Sequence, residues 1–298
     1  MGNLNNTTNK FKDSGRVNVF NAKYNRQAGS QVSRIFFITG SFSLSKGAIL
    51  LKKIYEANPD TKLLFSGGGF YQTHIPTTLC KKDYLKSGDD LENIKIFING
   101  HLSKISKFIK KTKIRVPVFL GIDFLDIVND TKPVQLAVLF NQGEIHYFSK
   151  RYPFAGEIII EPWSSLKNEI VHLESLGLVL PLVCNDGVLW GGRSVKGLSK
   201  KSKRSDLSKS LKKKFKEYSP DLVLDFIHSI NSPSSGKIFS SSLKEYNKNS
   251  KSCCLGAFGS QKKKFLKELA SSSKVPMKIK NLSGNSLENG LVMDFYIF

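Results

Sequence analysis

The sequence predicts an α/β fold, because short apolar segments typical of buried strands alternate with longer amphipathic segments typical of helices. Residues 35–38 and 62–65 are apolar runs that end in polar or glycine-rich turns. Residues 45–58, which lie between them, repeat apolar side chains at helical spacing. A strand–helix–strand unit of this kind begins a layered sheet that carries helices on its face.

The same alternation continues to the end of the chain. Residues 1–30 are polar and show no clear period, so we expect a flexible arm there, followed by one domain over residues 31–298. A second helix is predicted within residues 91–110. Further strands are predicted at residues 116–122, 135–140, 145–148, 177–184, 221–227, 253–258 and 291–298. The side chains expected to face inward are Ile49, Leu50, Ile54 and Tyr55 on the first helix, and Ile96, Ile105 and Phe108 on the second.

The chain is strongly basic, with a formal net charge of +22 and a pI of about 9.8. Such an excess of positive charge attracts nucleic acid, acidic lipid or acidic substrates. The most basic segment covers residues 196–216, which we interpret as a loop followed by a helix. Two readings stay open. Either the lysine excess reflects an AT-rich genome and the segment 196–216 is a solvated surface, or this segment binds the phosphate backbone of nucleic acid or attracts acidic substrates.

Several classes of protein are disfavoured by what the sequence lacks. Its four cysteines have no metal-type spacing and its five histidines show no ligand pattern, so we expect no metal site. No run of about 18 apolar residues occurs, and we therefore expect no membrane span. The start of the chain is polar and lacks the apolar core of a signal peptide, which favours a cytoplasmic protein.

Cys184 stands at the end of the predicted buried strand 177–184 and is followed by the polar turn 185–187. Open α/β sheets place their active sites at the carboxyl ends of strands. A thiol there can be ionised by nearby cations and can then attack an electrophilic carbon. Cysteine is also a common small core residue, so the residues alone leave both readings open.

The order of the motifs resembles that of the nitrilase (carbon–nitrogen hydrolase) superfamily. Cys184 with Asp186, after an apolar strand, is similar to the family's nucleophile motif, although Arg193 lies later in the chain than the family's usual arginine. Residues 147–154, after a glycine-containing hairpin, are similar to its lysine motif, with Lys150 in the lysine position. The likeness spans residues 33–298 and includes a glycine-ended central strand at 119–123 and the strand after the nucleophile at 219–224.

The resemblance implies a four-layered α-β-β-α sandwich that is often assembled as a homodimer through one helical face. It implies that the Cys184 thiolate attacks the carbon of a small amide or nitrile substrate, and that water then cleaves the resulting thioester. The Lys150 ammonium would stabilise the oxyanion, and Glu157 would take the place of a second, supporting glutamate. No cofactor is implied. In a chain this rich in lysine, a solvated surface residue is the alternative for Lys150.

The sequence departs from the family at the general base, because the position of the usual glutamate falls on Gly67. A positioned general base contributes about 10²–10⁴-fold to rate. The chain is therefore either an altered thiol amidohydrolase, in which Glu157, Asp123 or Asp186 substitutes, or a catalytically impaired relative that binds without turnover. Asp186 is interpreted mainly as a turn residue. A basic nucleic-acid-binding protein that uses the α/β domain as a scaffold is the alternative from another functional class.

Overall fold

The computed structural model describes residues 19–20, 31–38, 41–79, 88–126, 131–150, 170–188, 203–227, 241–242, 253–258, 279–280 and 290–297. The strands within these ranges are β1 (Val19–Phe20), β2 (Gln31–Ile38), β3 (Thr61–Ser66), β4 (Tyr71–His74), β5 (Val118–Asp126), β6 (Thr131–Asn141), β7 (Glu144–Ser149), β8 (Val171–Leu173), β9 (Gly177–Val183), β10 (Leu222–Ile227), β11 (Cys253–Phe258), β12 (Ile279–Lys280) and β13 (Gly290–Ile297). The helices are α1 (Leu44–Ala57), α2 (Gly88–Lys111), α3 (Asn185–Val188) and α4 (Lys203–Tyr218).

Two main sheets are formed by the described strands. The first has the order β13-β2-β3-β5-β6-β7, with β4 paired to β5, and its strands β2, β3 and β5 are parallel. The second has the order β11-β10-β9-β8, in which β9, β10 and β11 are parallel. Parallel strands bring their carboxyl ends to one edge of a sheet, so both sheets have an edge suited to a site.

Helices α1 and α2 cover one face of the first sheet. Successive strand residues point to opposite faces, and Leu64, Leu120 and Val138 lie on the face that packs against these helices. Helix α2 supplies apolar side chains at intervals of three and four residues, the spacing that keeps them on one side of a helix. Its buried apolar residues in this core are Ile94, Ile98, Leu102, Ile105 and Ile109.

The inward faces of α1 and α2 differ in part from the prediction. Ile105 is buried as expected, but Ile49 and Ile96 are 56% and 63% exposed, so the prediction is wrong for these two residues. On α1, Leu50 and Ile54 are buried as expected, and Leu51, which was not predicted, is buried beside them. Apolar residues occur on neighbouring positions in both helices, and packing on the sheet selects which of them form the buried stripe.

The other face of the first sheet packs against the second sheet through aromatic side chains. Phe226 of β10 lies with its ring centroid 4.9 Å from that of Phe65 and 5.0 Å from that of Phe119. Phe148 of β7 extends the cluster, at 5.8 Å from Phe119. The two sheets are therefore stacked face to face, as in a β-sandwich.

Helix α4 forms the fourth layer. It lies in the crossover between the parallel neighbours β9 and β10, and its side chains Leu211 and Phe215 are buried. Because the first sheet fills the inner face of the second, a helix in this crossover packs on the outer face. The predicted α-β-β-α sandwich is confirmed.

The ends of the chain are described only in part. Of the predicted arm, residues 1–30, the structure describes Val19–Phe20, which pairs antiparallel with Ile279–Lys280. The arm and the domain over residues 31–298 stay predictions. Within the described ranges, no helix combines the length and apolar character that a membrane crossing requires.

Candidate functional site

Cys184 occupies a sharp turn directly after β9. Its φ angle is +53°, a left-handed conformation that few non-glycine residues adopt. The Cys184 N–H donates to the Phe226 carbonyl oxygen at 3.1 Å, and the Gly187 N–H donates to the Cys184 carbonyl oxygen at 3.1 Å. These two bonds fix the turn against β10 and leave the cysteine half-buried at the carboxyl edge of the second sheet.

Lys150 is buried, in contrast to the surface position expected of most lysines. It follows the last residue of β7 and is only 3% exposed. Its Nζ donates to Gln135 Oε1 at 2.9 Å. Alternation along β7 places Lys150 on the same face as Phe148, which is the face that packs against the second sheet.

Two further buried polar side chains lie on this inner face of the first sheet, on the neighbouring strands β5 and β6. Asp123 of β5 pairs directly with Gln135 of β6, and both side chains are buried. Gln135 in turn accepts the hydrogen bond from Lys150. Polar side chains this deeply buried are uncommon in the interior of a sandwich, and they indicate a site at this edge.

The glycine run at 67–69 bulges out of the first sheet towards the second. Between Phe65 and Tyr71 the chain takes six steps while β5 takes three, from Phe119 to Ile122. The Gly68 N–H donates to the Ile227 carbonyl oxygen at 3.2 Å, at the end of β10. The bulge therefore borders the same edge as Cys184, although it carries no carboxylate.

Close packing explains the small residues in and beside this bulge. A β-carbon added to Gly121 would overlap the Gly67 carbonyl oxygen. At Gly69, which has a φ of +74°, an added β-carbon would lie 3.0 Å from Asp123 Oδ2. The carboxyl group of Asp123 thus lies beside the glycine bulge in which the family's glutamate position falls.

Asp225 is a buried carboxyl group that sequence reasoning missed. It lies within the apolar strand β10, is 2% exposed, and has an Oδ1 atom without a hydrogen-bond partner among the described residues. A β-carbon added to Gly187 would overlap Asp225 Oδ2, so this carboxyl group fills the space beneath the turn that begins at Cys184. An aspartate within an otherwise apolar strand is a signal that the sequence did contain.

Burial raises the pKa of Asp225 well above its ordinary value, and the negative charges of Cys184 and then Asp186 raise it further. The ammonium of Lys150 acts in the opposite direction and lowers it. Groups affect one another in this way only when they are close, so Cys184, Asp186, Lys150 and Asp225 belong to one cluster.

Asp186 has a structural contact consistent with its interpretation as a turn residue. It is buried, and its Oδ2 accepts a hydrogen bond from the Val183 N–H at 3.3 Å. This bond ties the turn back to the end of β9.

Other predicted site residues lie elsewhere or outside the described ranges. Glu157, Arg193 and the segment 196–202 belong to the ranges that are not described. His101 contacts Thr73 Oγ1 at 2.8 Å through its Nε2, and burial followed by the charge of Lys104 lowers the pKa of His101. Within the described part of the chain, no group of three histidine, cysteine, aspartate or glutamate side chains is arranged to hold a metal ion.

Comparison with known proteins finds similarity at the level of structure. No protein-family model and no curated protein matches the chain. Among solved structures it is similar to an amidase from Nesterenkonia sp., with a TM-score of 0.45, 11% identity, and coverage of 90% of this chain and 92% of that chain. A CN-hydrolase superfamily protein from Xanthomonas campestris gives a TM-score of 0.43, 11% identity, and coverage of 90% and 91%. A glutamine-dependent NAD+ synthetase from Acinetobacter baumannii gives 0.48, 10% identity, and coverage of 89% and 46%.

Proposed function

We propose that this chain is a thiol amidohydrolase that cleaves a C–N bond of a small amide, with Cys184 as the nucleophile. One observation carries the proposal. The carboxyl group of Asp225 lies beneath the turn of Cys184, and its pKa responds to the charges of both Cys184 and Lys150, although these two residues follow strands of different sheets. A thiol close to an ammonium at the carboxyl edge of a sheet would be sufficient for nucleophilic attack with stabilisation of the oxyanion, and this supports the proposal.

The position of Cys184 suits a nucleophile better than a core residue. Cys184 has a left-handed backbone at the end of a strand and is held there by backbone hydrogen bonds to Phe226 and Gly187. Strain of this kind costs of order 1–3 kcal/mol and persists where the surrounding structure enforces it, often at active sites. In the proposed reaction the thiolate attacks the carbonyl carbon, and the C–N bond breaks to leave a thioester.

Lys150 supplies the positive charge that the oxyanion requires. Its burial removes the screening that water gives the surface lysines, so its charge acts more strongly on a developing negative oxygen. The hydrogen bond to Gln135 fixes the ammonium before substrate binds. Removal of one donor to an oxyanion typically costs about 10²–10³-fold in kcat.

Hydrolysis of a panel of small aliphatic amides and nitriles, followed by release of ammonia, tests this function. We expect turnover by the wild type, none by Cys184→Ala, and a loss of about 10²-fold or more by Lys150→Met. Lys213→Met is the matched control, since Lys213 lies on the surface of α4 with its side chain 80% exposed, and it should retain wild-type activity.

The same panel separates an enzyme from an impaired relative. If Cys184 reacts with iodoacetamide much faster than Cys80 but no amide or nitrile is hydrolysed, the site binds electrophiles without turnover and the hydrolase proposal is wrong. Loss of the family's glutamate at Gly67 makes this outcome the main rival.

A nucleic-acid-binding role is a second candidate, favoured by the net charge of +22. Helix α4 carries exposed lysines, although Lys209 and Lys213 lie 3.8 Å from the carboxylates of Asp206 and Glu217. Binding to labelled duplex and single-stranded DNA should weaken steeply as salt rises, with a slope set by the number of phosphates neutralised. Absence of binding at low ionic strength would exclude this candidate.

A further inference from the structure

Hydrolysis through a thioester requires a group that moves protons, and Gly67 cannot provide it. The thiol must lose a proton, the leaving nitrogen must gain one, and the attacking water must lose one. A carboxyl group near the sulfur can perform all three transfers if it can hold a proton at one stage and release it at another.

Asp225 is the carboxyl group that the turn of Cys184 encloses. Its Oδ2 fills the space that a side chain at Gly187 would occupy, and the Gly187 N–H is bonded to the Cys184 carbonyl oxygen. On β10, the next residue is Phe226, whose carbonyl oxygen accepts the Cys184 N–H. The carboxyl group is therefore built into the turn of the nucleophile, although it comes from the neighbouring strand.

The Oδ1 atom of Asp225 is buried and has no hydrogen-bond partner within the described residues. An unbonded buried carboxyl oxygen is costly and is rarely retained without a reason. Exchange of a proton between this oxygen and a nearby group is one such reason.

We propose that Asp225 and Cys184 share one proton and that Asp225 passes it on during hydrolysis, in place of the glutamate that Gly67 lacks. This inference rests on the proposed function, which it deepens by assigning the group that moves protons. Asp225 lies on β10, whereas the family's glutamate position lies at the end of β3 in the other sheet.

The charges that face Asp225 favour this sharing. Among the described residues, those that act on it are Cys184 and Asp186 from the turn after β9, and Lys150 from the end of β7. Burial and the two negative groups raise the pKa of Asp225, so its carboxyl group holds a proton more readily than an ordinary aspartate does. A thiolate at Cys184 and a charged carboxylate at Asp225 therefore disfavour each other, and one proton satisfies both.

The proton balance closes over the reaction. The Asp225 carboxylate takes the proton of the Cys184 thiol as the S–C bond forms, and the carboxylic acid then gives this proton to the leaving nitrogen as the C–N bond breaks. In the second half, the carboxylate takes a proton from water as the O–C bond forms. The C–S bond breaks, and the proton is again held between Asp225 and Cys184.

Other carboxyl groups of the cluster fit this role less well. Asp186 Oδ2 accepts the Val183 N–H, which commits that oxygen to the fold of the turn. Asp123 lies on the first sheet beside Gly69, and it is not among the groups whose charge acts on Asp225.

The pH dependence of Cys184 alkylation by iodoacetamide, resolved by peptide mass spectrometry, tests the shared proton without any turnover. In the wild type we expect the alkylation rate of Cys184 to rise in two steps as pH rises. The fully protonated pair first loses one proton and shares the other, and the negative charge of this state shifts the loss of the second proton to higher pH. In Asp225→Asn we expect a single step that reaches the full rate at lower pH. Asp221→Asn, an exposed aspartate that precedes the same strand, should retain both steps.

Superimposable profiles for the wild type and Asp225→Asn would overturn the inference. If Asp225→Asn does not fold, the wild type alone decides, since a single-step profile rules out a shared proton. Amide turnover together with superimposable profiles removes only the role of Asp225. A two-step profile that Asp225→Asn abolishes, without turnover of any amide, removes the proposed hydrolase function and the proton transfer during hydrolysis, and it leaves the shared proton.

Discussion

Buried charge distinguishes individual residues of the candidate site from the rest of this basic chain. Lys150 is 3% exposed, whereas the side chains of Lys209 and Lys213 on α4 are 72% and 80% exposed. Asp225 and Asp186 are likewise buried. Burying charge costs free energy unless partners compensate, so a cluster of buried charges implies a function that retains it.

The stability of Asp225→Asn relative to the wild type should depend on pH. Because the pKa of Asp225 is raised in the folded state, its stabilising contribution is complete below its ordinary pKa of 3.8 and is lost as pH rises through the folded value. Asparagine does not titrate. We therefore expect the variant to gain free energy of unfolding relative to the wild type as pH rises from about 4 towards neutrality.

Urea unfolding of both proteins at stepped pH measures this difference. Asp221→Asn is the control, because Asp221 is an exposed aspartate beside the start of β10. This variant measures how much an aspartate-to-asparagine change alters stability outside the buried cluster. A pH-independent difference between Asp225→Asn and the wild type would show that the Asp225 carboxyl group titrates normally in the folded protein.

Gly187→Ala should destabilise the turn of the nucleophile, because its β-carbon would overlap Asp225 Oδ2. Asp225 is short and buried, so the carboxyl group cannot move aside without losing its position. Overpacking of this kind typically costs about 1–3 kcal/mol, which thermal or urea unfolding can measure. Wild-type stability and an unchanged alkylation rate at Cys184 would contradict the packing described for this turn.

Single residues were predicted unevenly from the sequence. The motif resemblance selected Cys184 and Lys150, and the structure brings them to one cluster, while their catalytic roles stay predictions. Asp225 was missed because the apolar strand β10 was interpreted only as part of the core. The register of β9 with β10 is what brings Asp225 close to the turn of Cys184, and the sequence does not show this register. Glu157 lies outside the described residues, so its supporting role also stays a prediction.

At the scale of elements, the bulge at 67–69 depends on a close approach to β5. Gly121→Ala would bring a β-carbon into the Gly67 carbonyl oxygen, which is a backbone atom and cannot rotate away. We expect a loss of stability of at least about 1–3 kcal/mol, together with displacement of the bulge. Circular dichroism during thermal unfolding measures the loss, and an unchanged midpoint would contradict this packing.

Gly100→Ala on α2 is the matched change with the opposite expectation. A β-carbon at Gly100 meets no atom within 4 Å, and the position is in the interior of a helix. Alanine is favoured over glycine there by about 1 kcal/mol, so the variant should be more stable by a similar amount. A destabilised Gly100→Ala would show that another element packs against α2 at Gly100.

Elements were predicted better than the side chains that face inward from them. Strand β9 was expected at residues 177–184 and occupies Gly177–Val183, because a long apolar run bounded by turns has few other solutions. The short strands β4 and β8 were not predicted, since β4 has polar residues and β8 only three residues. Ile96 shows the limit for helices, because tertiary packing alone selects the buried stripe.

At the scale of the whole molecule, the two sheets are held together by aromatic contacts close to the site. Phe226 touches both Phe65 and Phe119 and is fully buried. Phe226→Ala should therefore cost about 3–5 kcal/mol, the usual range for a buried aromatic residue. Phe108→Ala on the half-buried side of α2 should cost less. Equal losses in denaturant unfolding would show that the sheets do not depend on this contact.

The order of the layers in the sandwich was predictable from the sequence, whereas association with a second copy or with nucleic acid was not. Alternating strands and helices predict only a layered α/β fold, and the four-layered order was implied by the resemblance of the motifs. The homodimer that the resemblance implies and the binding of nucleic acid through residues 196–216 stay predictions, because both depend on surfaces that a single chain presents to a partner.

The rate of Cys184 alkylation at neutral pH in the wild type and in Lys150→Met tests most directly whether the thiol and the ammonium form one site. In the wild type we expect Cys184 to react much faster than Cys80, because a neighbouring cation stabilises its thiolate. The advantage should fall sharply in Lys150→Met and persist in Lys213→Met. Equal, slow labelling of Cys184 and Cys80 in the wild type, or no change in Lys150→Met, would contradict the account.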